Sequence, residues 1–83
     1  MFGSKCLPPK NTPDKTDCVL RGWDAFGQKW VYWKYTWHKR PWFLGGNYWT
    51  QHNRKGRASP RYLNEMGWEF VSLHEEYNGP KCG

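Results

Sequence analysis

Between Gln28 and His38 the chain alternates strictly: Val31, Trp33, Tyr35 and Trp37 fall on one side of an extended backbone, and Trp30, Tyr32, Lys34 and Thr36 on the other. A period of two, built from β-branched and aromatic residues, specifies a strand rather than a helix. The first set should face a core. Because Trp30 and Tyr32 leave the second side half apolar, that side is expected to have a cover or a partner. A lone strand cannot bury itself, so the rest of the chain must supply its neighbours.

Those neighbours can be read in order. Cys18-Val19-Leu20 opens the folded part, and Arg21 to Gly27, with two glycines and Asp24, reads as a turn carrying aromatics. After the break at Lys39-Arg40-Pro41, Trp42 to Thr50 resumes a strand-like composition interrupted by Gly45-Gly46, which predicts an antiparallel hairpin kinked at the glycines. Gln51 to Ala58 is polar and basic, an exposed loop. Ser59-Pro60 starts a short helix whose apolar stripe is Tyr62, Leu63 and Met66, and Gly67 ends it. Trp68 to Glu76 follows as a strand, with Trp68, Phe70 and Ser72 on one side and Val71 and Leu73 on the other, stopped by Asn78-Gly79-Pro80. The order predicts an α+β fold: a small antiparallel sheet of three to four strands with one short helix packed on it, residues 18–83 forming a single domain. Residues 1–17, interrupted by Pro8, Pro9 and Pro13, read as an extended arm that would need Phe2 or Leu7 to dock.

Composition sharpens this reading. A mean hydropathy of −1.03 resembles that of disordered chains, but 19% aromatic content does not. With 7 Trp, 5 Tyr and 4 Phe in 83 residues, the core must be aromatic, and burying more of it by pairing two copies would relieve a shortage of apolar surface. No stretch approaches the roughly 18 apolar residues of a membrane span, and the first residues lack a secretory apolar run. Neither membrane insertion nor export is expected, and a cytoplasmic setting is the expectation. Cys6, Cys18 and Cys82 are odd in number and lack C-x-x-C spacing, which favours free thiols. A Cys6–Cys18 bridge, or a zinc site combining cysteines with His38, His52 or His74, stays open.

The segment Leu63-Asn64-Glu65-Met66-Gly67-Trp68-Glu69-Phe70-Val71-Ser72-Leu73, together with the opening Trp30-Val31-Tyr32, resembles a family of short prokaryotic and phage proteins of unknown function. That family pairs an aromatic strand with a later L-N-E-L-G and W-E-x-V-S run. Here Gly67 serves both as helix stop and as the glycine before the Trp-Glu strand, and Trp42 to Arg57 stands as an insertion. The resemblance implies a strand–helix–strand fold and a bacterial or phage setting, with no activity attached. It assigns Leu63, Met66, Trp68 and Val71 to packing.

No nucleophile, metal or phosphate-loop pattern is present, and Glu75-Glu76 beside His74 reads as a solvated strand end, so neither an enzyme nor a cofactor is expected. Charge is more informative. The net +6 is concentrated: residues 18–42 and 43–61 carry +4 each, while residues 62–83 carry −3. Lys39, Arg40, Arg54, Lys55, Arg57 and Arg61 interleave with Trp42 and Trp49, and these eight are the candidate partner-binding residues. Three readings follow. The first is a phage- or mobile-element-encoded protein that inhibits or modulates a host protein or ribonucleoprotein, such as a defence system, by stoichiometric contact. The second is direct binding of single-stranded nucleic acid. The third is capture of a nucleotide or small ligand, with Arg21 to Asp24 or Gly45-Gly46 at the rim. The positive charge argues against mimicry of DNA, which requires an acidic surface.

Overall fold

A computed structural model describes residues 5–51 and 55–79. Four antiparallel strands form one sheet: β1 (Thr16–Asp24), β2 (Lys29–His38), β3 (Tyr48–Gln51) and β4 (Glu69–Leu73), in the spatial order β3-β2-β1-β4. One short helix, α1 (Pro60–Glu65), lies between β3 and β4. The α+β class read from the sequence is the fold observed.

The alternation in β2 does what its period dictates. Tyr35 and Trp37 are buried, and Trp33 packs against them. Opposite them on β1, Cys18 pairs with Tyr35, Leu20 with Trp33 and Gly22 with Val31, which puts these residues on the same face. The remaining core comes from Trp49 of β3, Leu63 of α1 and Cys6. Trp49 is fully buried, its ring 4.7 Å from that of Trp37 and 6.2 Å from that of Tyr35.

Several expectations are corrected. Arg21 to Asp24 is not a turn but the second half of β1, and Gly22 is there for space. A Cβ at that position would stand 3.0 Å from the Trp68 indole, so the absent side chain lets Trp68 lie on the strand. The kinked strand expected from Trp42 is a turn of 3-10 helix at Trp42–Leu44, and β3 begins only at Tyr48. The last strand stops at Leu73, and His74–Glu76 form another 3-10 turn beside β1. Val71 does not enter the core as the motif implied. Val19 pairs with Ser72 and Leu20 with Phe70, so Val71 is the extra residue of a bulge. That bulge resets the alternation, and Phe70 and Leu73 both pack on the core.

Over its described residues 5–15 the segment read as an extended arm has no strand or helix, yet it is docked, and Leu7 does not provide the anchor. Leu7 is half exposed, and Phe2 lies outside the described residues. Cys6 is the anchor, fully buried with its carbonyl accepting from the Trp49 indole N–H at 2.8 Å and its Sγ 2.6 Å from the Trp68 carbonyl. On either side, the Lys5 N–H donates to Asn64 Oδ1 and the Lys5 carbonyl accepts from the Phe70 N–H. The arm and α1 together cover the core face.

The second face of the sheet is partly covered too. Tyr77 stacks on Tyr32, and Val19 is fully buried. Arg21 lies 4.1 Å over the Trp30 ring and is ion-paired to Glu69 at 2.8 Å, while Asp17 accepts from Thr36 and pairs with Lys34. Hydrogen bonding from Arg21 outweighs burial and, with Lys5 nearby, holds the Glu69 carboxyl below its ordinary 4.5.

Two predictions follow from this packing. Gly22→Ala should destabilise the fold by about 1–3 kcal/mol in urea titration, because the indole or the strand must shift; unchanged stability would show that Trp68 does not rest on β1. The lowered Glu69 pKa stabilises the fold above its unfolded value, and that contribution is lost as pH falls through the folded value. The urea midpoint should therefore drop below about pH 4.5, and Glu69→Gln should shrink the drop.

Candidate functional site

Sheet order sets the electrostatics. Between Asp24 and Glu65 the chain contains eight Lys and Arg and no Asp or Glu. That stretch builds β2, the β2–β3 connection, β3 and the loop beyond it, so its charge collects toward the β3 edge. Glu69 sits on β4 at the opposite edge, and Glu75 and Glu76 follow it. The four ion pairs among the described residues involve Lys5, Arg21, Lys34 and Arg61, so Lys39, Arg40, Lys55 and Arg57 keep uncompensated charge.

Local structure holds this edge in place. The Lys39 N–H donates to Asp14 Oδ1 at 2.8 Å, and the Arg40 N–H to Asn47 Oδ1 at 2.9 Å. Within the connection, Leu44 and Gly46 both donate to the Pro41 carbonyl, and Gly45 donates to that of Trp42. Gly45 and Gly46 have φ of 111° and 79°, which a β-carbon would oppose. The turn holds Trp42 (87% exposed), Phe43 (67%) and Leu44 (57%) out in solvent. Beyond β3 the loop returns, and Ala58 exchanges two backbone hydrogen bonds of 2.8 Å with Trp49. This return places Arg57 beside Tyr48. The Tyr48 ring has the Arg57 guanidinium 4.8 Å and the Arg40 guanidinium 5.4 Å from its centre, and His38 stacked on it at 4.8 Å.

Of the eight candidate residues, the structure therefore gathers Arg40 and Arg57 on Tyr48, with Lys39 and Trp42 exposed in the β2–β3 connection and Lys55 exposed in the loop after β3. Trp49 is corrected: fully buried and hydrogen-bonded to Cys6, it is core and offers no surface. Arg61 is exposed on α1 with Glu65 at 3.4 Å offsetting its charge. Arg54 lies outside the described residues.

Sequence reading missed the other half of the site. On the core face a cleft of about 320 Å³ opens between the sheet and α1, with Tyr35 and Trp49 below it, Trp33, Tyr62 and Trp68 around it, and Gln51 and Lys55 among its polar lining. Tyr62 and Met66 were expected to pack on the sheet. A helix of six residues brings only Leu63 into the core and leaves Tyr62 and Met66 more than half exposed. The signal that was available is this brevity: one and a half turns cannot bury three large side chains on one side.

The thiols are structural. Burial, then the negative charge of Glu69, pushes Cys6 up to about 12, and burial, then Asp17, does the same for Cys18, so both are neutral at physiological pH. Cys82 lies outside the described residues. Among the described residues no group of three or more His, Cys, Asp and Glu gathers as metal ligands, and no helix is long and apolar enough to cross a membrane. No family model, curated protein or solved structure matches this chain.

Proposed function

We propose that this is a non-enzymatic binding protein whose β3 edge takes single-stranded nucleic acid. The observation that supports this is charge segregation joined to aromatics: Lys39, Arg40, Lys55 and Arg57 form no ion pair among the described residues, and two of them flank the ring of Tyr48. Phosphates supply the counter-charge such an edge lacks, and the exposed Trp42 ring beside it can stack on the face of any base. A duplex would offer the same phosphates, but its bases are hidden from exposed rings such as Trp42.

A second reading rests on a different feature. Trp42, Phe43 and Leu44 are three consecutive exposed apolar side chains on a hydrogen-bonded turn flanked by Lys39 and Arg40, and Trp42 and Arg40 are residue types enriched at protein hot spots. In that reading the turn docks on an acidic surface of a host protein or ribonucleoprotein and blocks it, in the phage or bacterial setting that the family resemblance implies.

Fluorescence anisotropy of a labelled single-stranded oligonucleotide tests the first reading. With four cations engaged, log affinity should fall against log salt with a slope of about −3, since each contributes about 0.7 on a single strand. Arg40→Glu combined with Arg57→Glu should weaken binding at least tenfold and make the slope shallower. Affinity no greater than that of a basic control protein would exclude the nucleic-acid reading. Trp42→Ala should leave the salt slope unchanged and weaken affinity by only about the stacking of one base, roughly tenfold, if nucleic acid is the ligand. If a protein target is the ligand, the same change should abolish its capture.

A further inference from the structure

We propose that the cleft beneath α1 receives one base of the bound strand, an inference that rests on the nucleic-acid reading above. The lining carries the argument. Trp33, Tyr62 and Trp68 present aromatic surface around a space of about 320 Å³, close to the lower limit of roughly 300–1,000 Å³ for ligand pockets. That volume suits a single flat ring system with part of its sugar and leaves no room for a stack of several. Gln51 brings an amide with one acceptor and two donors, the complement of the hydrogen-bonding edge of a base. Lys55, fully outside any ion pair among the described residues, borders the same cleft and supplies the charge for the adjoining phosphate.

Charge complementarity selects this occupant over a peptide side chain. No carboxylate lines the cleft among the described residues, and the only charged groups bordering it are Lys55 and Arg57. An aliphatic side chain would fill the volume but would leave Gln51 and Lys55 facing it without a counterpart. Continuity supports it as well. Arg57 borders the cleft while its guanidinium lies over Tyr48, which alternates with Trp49 onto the other face of the sheet, so a sugar–phosphate chain held at Tyr48 reaches the cleft by crossing the β3 edge at Arg57. The cationic edge grips the backbone, and the cleft accepts a base turned out from it.

The test compares a single-stranded oligonucleotide with an abasic strand of the same length, using the full chain and its Tyr62→Ala variant. Tyr62 is 54% exposed, so its removal spares the core. Expected is a loss of about tenfold in affinity for the normal strand, from the stacking contribution of one base, with affinity for the abasic strand and the salt slope unchanged. Gln51→Ala should act in the same direction to a smaller degree. Photo-crosslinking with a 5-iodouracil strand, mapped by mass spectrometry, gives a readout that needs no variant: adducts should fall on Trp33, Tyr62 or Trp68. Adducts confined to Trp42 and Tyr48, or Tyr62→Ala binding both strands as the parent does, would overturn the cleft assignment while leaving the nucleic-acid reading intact. Failure of the parent protein to bind either strand would overturn both.

Discussion

The fold turns on one buried hydrogen bond. An indole carried wholly into the core brings a polar N–H with it, and leaving that group unsatisfied would cost about 1–3 kcal/mol. The Trp49 N–H finds the carbonyl of Cys6, a residue far away in sequence and belonging to no strand. That bond recruits a proline-interrupted segment as a structural layer. With α1 only six residues long, the sheet would otherwise have half a cover. The small Cys6 side chain fits beneath the sheet's aromatic rings where a larger residue would not, and its neighbours Lys5 and Trp68 complete the seam through backbone groups.

This arrangement also divides the aromatics between two uses. Most of those of β2 and β3 on the core face are consumed by packing, with Trp33 also bordering the cleft, while on the second face Tyr77 covers Tyr32 and Trp30 beneath Arg21 stays partly exposed together with Trp23. What stays available is set by places where covering elements are too short. The 3-10 turn leaves Trp42 outside, and α1 leaves Tyr62 outside. Both openings lie toward the positive end of the molecule, because both belong to the stretch between Asp24 and Glu65, which has no acidic residue of its own. Surface chemistry here follows from topology and element length as much as from composition.

What the sequence shows and conceals can be traced residue by residue. The β2 face was legible because alternation is local, and the α1 start was legible because the Ser59 hydroxyl accepts from the Tyr62 N–H as a capping residue must. Trp42 and Trp49 were indistinguishable in the sequence. Each is an indole in a basic hairpin, and only the positive φ at Gly45 and Gly46 separates a turn residue from a strand residue. Docking of the first segment was hidden because it depends on a backbone carbonyl, which every residue has. The bulge opposite Val19 and Leu20 was hidden for a similar reason: it is a property of two strands paired, and neither strand announces it alone. The cleft is a void between elements, and a void has no residues of its own to read.

The position of β1 between β2 and β4 has a consequence for biosynthesis. As the chain leaves the ribosome, the β1–β2 hairpin is the first unit that can pair, and it does so with Trp33, Tyr35 and Trp37 unshielded on one side. The free edge of β1 stays unpaired until residues 69–73 are made, and the first segment cannot fasten until Asn64, Trp68 and Phe70 exist to receive it. The nascent protein therefore passes through an interval in which a greasy, open-edged hairpin is exposed to the cell, and it closes in one late step.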